Sequence, residues 1–288
     1  MTDLRQSDFH EPALAERLSH IAQDLRWGLG LIVITGLRLE DFEPAEAPWL
    51  YWAIGLHFGE PVSQNIHGDL MGEVRVRDDQ ILGRAYNRGG PLPFHSDRID
   101  ILSLFSIREA ASGGANAFVS SLAVHDIVAE ERPDLLKLFR GGFYQHLGNE
   151  HDPSADPITS HRIPIFADFE GLRSCLFSGN ASLTMQRQKL GDRFTPQDDE
   201  ALSFLRSILD RPEMAFRVLL KPGEIVFINN YEVLHSRDDF EDSIDPNERR
   251  FLLRLWLQGQ PWRPKVADMV VICNASGRQG IDPRPLKT

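Results

Sequence analysis

Cysteine, basic charge and long apolar runs are all scarce in this 288-residue sequence. Its two cysteines, Cys175 and Cys273, are too few for a disulfide framework and fit a reducing compartment. No apolar run approaches the roughly 20 residues that span a bilayer. The first residues, MTDLRQSDFHEPALAERL, lack the basic and apolar regions of a signal peptide. We therefore predict a cytoplasmic protein without a membrane segment.

The charge balance is acidic, with 31 Lys and Arg against 42 Asp and Glu and a net charge of −11. Phosphate contacts need clustered basic side chains, so we expect no nucleic-acid partner. Hydrophobic residues make up 42% of the chain and include 17 Phe, which is enough for a sizeable core. No internal repeat or linker divides the sequence, so we predict a single domain over residues 1–288. The sequence carries no indication of an oligomeric state.

Helical patterns cluster near the start of the chain. Apolar residues at helical spacing predict helices over 11–28 and 40–61. A late helix over 195–210 has the most complete signature, with Thr195 as N-cap and Asp198 in a capping box. Two further short helices are predicted after Ser120-Ser121 and from Pro133.

Strand patterns dominate the middle and the end of the chain. They predict strands over 29–37, 72–79 and 98–107, two strands around a Pro-Gly turn over 216–236, and a long strand over 249–259. This order is not the regular alternation of a doubly wound sheet. It suits a mostly β fold with helical decorations, a sandwich or jelly roll. We divide it into an N-terminal helical and strand portion (about 1–79), a jelly-roll core (about 80–258) and a coil-rich tail (259–288).

The segment GGPLPFHSDRIDILSLF contains a histidine and an aspartate two residues apart, His95 and Asp97. Residues i and i+2 of an extended strand point to the same side, so both side chains can reach one metal ion. The chain has a second such triplet, His67-Gly68-Asp69. That triplet lies in a loop-like, glycine-containing stretch, and we interpret it as a chance occurrence.

A third ligand has to come from a distant segment, and INNYEVLHSRDD supplies His235 near the end of a strand. Two imidazoles and one carboxylate on one face suit an open ferrous site, which leaves three positions for cosubstrate, oxygen or water. We therefore predict that His95, Asp97 and His235 form a metal site.

The strand RRFLLRLWL places Arg250, Leu252 and Arg254 on one face, with Arg249, Phe251 and Leu253 on the other. Two arginines on the same face of an apolar core strand are costly unless each meets an anion. A dicarboxylate cosubstrate is a natural partner, because guanidinium binds carboxylate in a bidentate way.

At these residues the chain resembles the TauD/TfdA-like iron(II)/2-oxoglutarate dioxygenases, including the clavaminate-synthase-like members. The resemblance rests on Phe-His-Ser-Asp, the Gly-Gly turn after it, the Pro-Gly…Asn-Asn…His segment and Arg-x-x-x-Arg, over roughly residues 80–258. It implies a double-stranded β-helix, with Fe(II) on His95, Asp97 and His235, and with 2-oxoglutarate and O2 as cosubstrates. It further implies that Arg250 holds the distal carboxylate of 2-oxoglutarate and that Arg254 faces the substrate side or assists the cosubstrate.

One position departs from the family pattern. Members often place Thr or Ser after the Gly-Gly turn to bind the same carboxylate, whereas this chain has Asn116 there. The carboxylate Asp97 distinguishes the chain from related halogenases, which leave this position without one. Four more residues are candidates to line the substrate pocket: Tyr86, Asn87, Asn230 and Tyr231.

The resemblance implies hydroxylation of an unactivated C–H bond in a small, anionic or amino-acid-like molecule, with succinate and CO2 as co-products. Desaturation and ring closure use the same residues and stay open as outcomes. Two alternatives from other classes also stay open. One is a jelly-roll metalloenzyme that does not use 2-oxoglutarate, and the other is a non-catalytic jelly roll that binds a small acid.

Overall fold

The structure is a computed structural model that describes residues 4–8, 11–76, 89–148, 155–178 and 188–284. It is mostly β-sheet with helices packed outside the sheets. The helices are α1 (Pro12–Trp27), α2 (Ala47–Gly55), α3 (Ser121–Glu131), α4 (Pro133–Gly141) and α5 (Pro196–Leu209).

The strands pair in an antiparallel manner throughout. They are β1 (Leu31–Ile34), β2 (Glu60–Pro61), β3 (Met71–Val74), β4 (Leu92–His95), β5 (Ile101–Arg108), β6 (Ser112–Gly113), β7 (Asn116–Ser120), β8 (Phe166–Phe169), β9 (Leu172–Cys175), β10 (Phe216–Val218), β11 (Ile225–Asn229), β12 (Val233–Arg237), β13 (Phe240–Glu241) and β14 (Phe251–Gln258). The larger sheet has the order β1-β11-β5-β14-β2, and β3 also pairs with β14. The smaller sheet has the order β10-β7-β12-β4. Two short pairs, β13-β6 and β8-β9, lie beside them.

One face of each large sheet contributes to a shared apolar cluster, which we call the inter-sheet space. Leu252 and Trp256 reach it from the larger sheet, and Phe118 and Val233 from the smaller one. Side chains alternate along a strand, so the immediate neighbours of these residues face the other way. Polar side chains on the same strand faces as the cluster are consequently enclosed between the two sheets.

Helices cover the two outer faces. Leu253, Leu255 and Leu257 of β14 pack with residues of α1 and α2. Ala117, Val119 and Leu234 of the smaller sheet pack with α3, α4 and α5. The central strands β5, β7, β11, β12 and β14 are therefore largely buried on both faces, which explains why their sequences read as apolar runs.

The predicted helix caps are confirmed. Ser120 caps α3 by accepting from the backbone of Ala123, and α4 begins at Pro133. At α5 the Thr195 hydroxyl accepts from the Asp198 backbone N–H while the Asp198 carboxylate accepts from the Thr195 N–H. Each bond satisfies a donor that the first helical turn leaves unpaired.

The prediction of one helix over 40–61 is wrong in its extent. A 3₁₀ turn spans Leu39–Asp41, α2 covers only Ala47–Gly55, and residues 60–61 form β2. Pro44 explains the late start, because a proline disfavours helical backbone at the residue before it. The strand predicted over 72–79 overlaps β3, and residues 77–79 lie outside the described part of the chain.

Residues 216–236 form three strands where two were predicted. β10 belongs to the smaller sheet and β11 to the larger one, so the Pro-Gly turn carries the chain between the sheets. Gly223 is needed in that turn, because its φ is +89° and a Cβ would collide with the carbonyl oxygen of Leu37. After β11 the chain turns back to the smaller sheet, where the Asn229 side chain accepts from the Tyr231 N–H.

No helix among the described residues is both long and apolar enough to cross a bilayer. Cys175 is buried and Cys273 is exposed, and neither takes part in a disulfide.

Candidate active site

The two predicted histidine ligands are cross-strand partners. His95 is the last residue of β4 and pairs in register with His235 on β12. Their ring centroids lie 4.3 Å apart. His235 follows the inward-facing Val233 by two residues, so alternation points it into the inter-sheet space. The structure thus brings together two imidazoles that are 140 positions apart in the sequence.

Asp97 lies just beyond the end of β4 and is held there by its neighbours. The preceding residue, Ser96, exchanges two hydrogen bonds with Phe177, one through its backbone N–H and one through its hydroxyl. The Asp97 N–H donates to the Asn230 side-chain oxygen at 3.1 Å. As a result, Asp97 Oδ1 lies 3.7 Å from His95 Nε2. One ligand atom each of His95, Asp97 and His235 falls within 4.8 Å of the others, and all three residues are buried.

The protonation of the histidines suits metal binding. The Nδ1–H of His95 donates to the Pro93 carbonyl oxygen at 2.8 Å, which leaves Nε2 as a lone-pair donor. Burial, followed by the nearby charge of His95, lowers the pKa of His235 to about 3. Neutral imidazole is the form that ligates metal. The buried Nδ1 of His235 has no hydrogen-bond partner among the described residues. A buried, unsatisfied nitrogen beside a second imidazole and a carboxylate fits a ferrous ion.

The second carboxylate oxygen of Asp97 faces β14. Trp256 Nε1 donates to Asp97 Oδ2 at 2.8 Å, and Arg254 Nη1 lies 3.7 Å from the same oxygen. Arg254 is fixed in turn by Gln64, whose Oε1 accepts from Arg254 Nε at 2.6 Å. The guanidinium of Arg254 therefore lies beside the metal-binding carboxylate, which places it at the predicted metal site.

Arg250 and Asn116 lie together at one end of the inter-sheet space. Both are about 95% buried and both line one small polar cavity with Gly114. Within the described residues the Arg250 guanidinium makes no side-chain hydrogen bond or ion pair, and its partner is the ring of Phe240 at 5.5 Å. Burial, followed by the charge of Arg237, lowers the pKa of Arg250 to about 10. A buried cation of this kind is a receptor for an anion.

The Gly-Gly turn and a further arginine complete this end of the site. Gly114 has φ of +74°, and a Cβ there would lie 3.4 Å from Arg250 Nε. Arg237 is buried and lies two residues after His235 on β12, where it pairs with Asn116 of β7. Its guanidinium lies 4.7 Å from the ring of Phe240, which Arg250 also contacts. Two strand residues span about 7 Å, which is the separation along β12 between His235 and Arg237.

The remaining predicted residues have different positions. Asn230 supports the backbone of Asp97, as described above. Tyr231 packs with Leu176 and Met269, and its hydroxyl donates to the Met269 carbonyl oxygen. Its contacts are thus with Leu176 and with the chain's C-terminal tail. Tyr86 and Asn87 lie outside the described residues.

The rival triplet is a surface turn. His67 and Asp69 are exposed, and both of their backbone N–H groups donate to the Asn65 side-chain oxygen. Among the described residues, the grouping of potential metal ligands is that of His95, Asp97 and His235.

Sequence reasoning missed Arg237, Trp256 and Gln64. The first two had a usable signal, because each follows a predicted site residue by two positions on a strand and shares its face. Gln64 had none, since its contact with Arg254 spans 190 residues and depends on the pairing of β14 with β3.

Comparisons with known proteins point to one family. The family model described as "Taurine catabolism dioxygenase TauD, TfdA family" matches residues 2–256. "FR-33289 synthase" of Streptomyces rubellomurinus (strain ATCC 31215) is 29% identical over 248 residues, covering 83% of this chain and 72% of the relative. "Taurine hydroxylase-like protein SAT17" of Stachybotrys chartarum (strain CBS 109288 / IBT 7711) is 28% identical over 276 residues, covering 88% and 67%.

Solved structures share the fold at low identity. Asparagine oxygenase in complex with Fe(II), 2S,3S-3-hydroxyasparagine and succinate is similar with a TM-score of 0.69 at 16% identity, covering 95% of this chain and 86% of that one. The non-heme iron oxygenase OrfP in complex with Fe and alpha-ketoglutaric acid is similar with a TM-score of 0.61 at 14% identity, covering 86% and 80%.

Proposed function

The chain belongs to the TauD/TfdA family of iron(II)- and 2-oxoglutarate-dependent oxygenases, and we propose that it hydroxylates an unactivated C–H bond of a small anionic or amino-acid-like molecule. Succinate and CO2 are the co-products of this reaction. Residues 1–288 act as a single domain in the cytoplasm. The two facing sheets are the halves of a double-stranded β-helix, a jelly roll, with the reaction between them.

The observation that carries the proposal is that the metal-ligand residues and a buried arginine share the inter-sheet space. The two histidines and Asp97 lie in or beside the inter-sheet space, and Arg250 lies at one end of it. Among the described residues its guanidinium makes no ion pair, although the Asp242 carboxylate accepts the Arg250 backbone N–H at 2.6 Å. A metal site alone explains the two histidines and Asp97. A buried guanidinium without an ion pair among the described residues is costly, and an anionic guest would offset that cost.

Each residue has a defined task in this proposal. His95, Asp97 and His235 would hold Fe(II) through two neutral imidazoles and one carboxylate. The bound iron supplies the oxygen activation that couples decarboxylation of 2-oxoglutarate to C–H oxidation. Arg250 binds the distal carboxylate of 2-oxoglutarate and so orients the 2-oxo acid end towards the histidines. Asn116 donates an amide hydrogen bond to the same carboxylate, in place of the usual hydroxyl.

We assign substrate recognition to the side of Asp97 that faces away from His95. Arg254 lies there, fixed by Gln64, and supplies positive charge for an anionic group. The names of the relatives support a small substrate, since one is called taurine hydroxylase-like and one solved neighbour holds a hydroxylated asparagine. We therefore place the acid group of the substrate close to Arg254.

The test is succinate production with purified protein, Fe(II), ascorbate, O2 and 2-oxoglutarate, in the presence of a panel of amino acids, sulfonates and phosphonates. A hydroxylated product, heavier by one oxygen atom, is expected in stoichiometry with succinate. His95→Ala should abolish both products. His67→Ala, which alters the exposed rival triplet, should leave both unchanged. Metal-dependent turnover without any need for 2-oxoglutarate would favour the other jelly-roll metalloenzymes, and binding of small acids without turnover would favour the non-catalytic alternative.

A further inference from the structure

Asp97 and Trp256 form a contact that fixes how the carboxylate can meet a metal. A free carboxylate offers two oxygens and can bind an ion through one or both. In this structure Oδ2 accepts the indole N–H of Trp256 at 2.8 Å. Oδ1 is the oxygen nearest the imidazole of His95, at 3.7 Å. The two oxygens of one side chain thus have different partners.

Trp256 is well suited to hold this arrangement, because it is buried in a strand that pairs on both sides. It is 1% exposed and lies in β14, paired in register with Leu102 of β5. Its backbone carbonyl accepts from the Val62 N–H at 3.0 Å. Asp97 has less support from its own element, since it follows the end of β4. The indole is therefore the more firmly held partner, and its N–H orients the carboxylate.

We infer that Trp256 is a positioning residue that keeps Asp97 a one-oxygen ligand of the iron. An octahedral ion with two imidazoles and one carboxylate oxygen retains three positions, which suffice for a two-point 2-oxo acid and O2. A carboxylate that binds through both oxygens removes one of those positions. By engaging Oδ2, Trp256 protects the position that the cosubstrates need. This inference rests on the proposed function, because it concerns the same metal site.

Arg254 assists without duplicating this role. Its Nη1 lies 3.7 Å from Oδ2, beyond ordinary hydrogen-bond distance, and its Nε is committed to Gln64. The cation stabilises the negative charge of the carboxylate, and the indole fixes its direction. Loss of the indole N–H alone should consequently change the geometry of the ligand without removing its charge.

The test compares Trp256→Phe with Trp52→Phe. Trp52 is 3% exposed, packs with α1 on the outer face of the larger sheet, and its indole N–H has no hydrogen-bond partner among the described residues. Both variants lose the same ring volume from a buried site, but only one loses a bond to Asp97. Replacement of Trp256 by 3-benzothienylalanine, whose bicyclic ring has the same shape and no N–H, serves as a second variant if Phe impairs folding.

Binding of Co(II) and Fe(II) under anaerobic conditions is measured by calorimetry, together with the visible spectrum of the Co(II) protein and the affinity for 2-oxoglutarate. Loss of a partner that orients a metal ligand typically costs about 10- to 100-fold in metal affinity or activity. Because a second bound oxygen of Asp97 would take a cosubstrate position, we expect an altered Co(II) spectrum and about 10- to 100-fold weaker 2-oxoglutarate binding in both Trp256 variants. We expect wild-type behaviour in Trp52→Phe. Wild-type affinity and spectrum in folded Trp256 variants would overturn the inference while leaving the proposed function intact. Absence of metal binding in the wild-type protein would overturn both.

Discussion

Replacement of Arg250 by methionine should have opposite effects on the stability of the free protein and on its affinity for 2-oxoglutarate. Arg250 is 5% exposed and its guanidinium has no acidic side chain in contact within the described residues. Burial and the charge of Arg237 lower its pKa to about 10. At about 1.4 kcal/mol per pKa unit, the charge costs the free protein about 3 kcal/mol.

Methionine removes that cost and keeps most of the apolar volume. It also removes the cation–π contact with Phe240, worth about 1–2 kcal/mol at a desolvated site. The free variant should therefore be about 1–2 kcal/mol more stable than the wild type. The effect on 2-oxoglutarate binding has the opposite sign, because removing one partner of a buried charge pair weakens binding by about 2–5 kcal/mol. This loss corresponds to about a 30-fold to several-thousand-fold weaker binding.

Urea unfolding of the free proteins measures the first effect, and calorimetry with 2-oxoglutarate on the Co(II)-loaded proteins measures the second. Arg217→Met is the matched control, because Arg217 is an exposed arginine of the smaller sheet whose ion pair with Asp238 is 3.4 Å long. It should change neither quantity by more than about 1 kcal/mol. An Arg250→Met protein that is less stable than the wild type and binds 2-oxoglutarate equally well would refute the reasoning.

Two further predictions concern stability. Lys265→Met should destabilise the protein by about 3–5 kcal/mol at pH 7, because it leaves the buried Asp100 carboxylate without the ammonium now 2.6 Å away. Burial already raises the pKa of Asp100, so the ionised form costs stability at neutral pH, and this cost is relieved as Asp100 takes up a proton on acidification. Urea unfolding should therefore show that the stability lost in Lys265→Met becomes smaller towards pH 4. The double variant Lys265→Met/Asp100→Asn should recover most of this loss. A loss of stability that does not depend on pH would contradict the prediction. Thr195→Ala should lower the free energy of unfolding by about 1 kcal/mol, because the capping bond to α5 is lost. Ser207→Ala, on the exposed face of α5, should lower it by under about 0.5 kcal/mol in the same assay. Equal losses in the two variants would argue against the cap.

The sequence contained most of what defines the strands and their faces. Alternation in FLLRLWL correctly predicted that Leu252 and Arg254 share one face, because the face of a strand depends on local spacing. The cap of α5 was equally local, since its bonds join residues three apart. The late start of α2 depended on Pro44 and was within reach of the same reasoning.

Other features depend on contacts between distant segments. The bond between Trp256 and Asp97 joins residues 159 positions apart, and no local pattern encodes it. The division of residues 216–236 between two sheets follows from which strands they pair with, and hydrophobic spacing does not specify the partner. The family resemblance supplied the ligand set, but the orientation of each ligand required the packed structure.

The most direct measurement is an anaerobic titration of the metal-free protein with Fe(II) and then 2-oxoglutarate, followed through the visible charge-transfer band of their complex. We predict a band that saturates at one equivalent of each, is absent in His95→Ala and requires far more 2-oxoglutarate in Arg250→Met. Iron binding with no spectral response to 2-oxoglutarate, or a wild-type band in both variants, would contradict the assignment of this site.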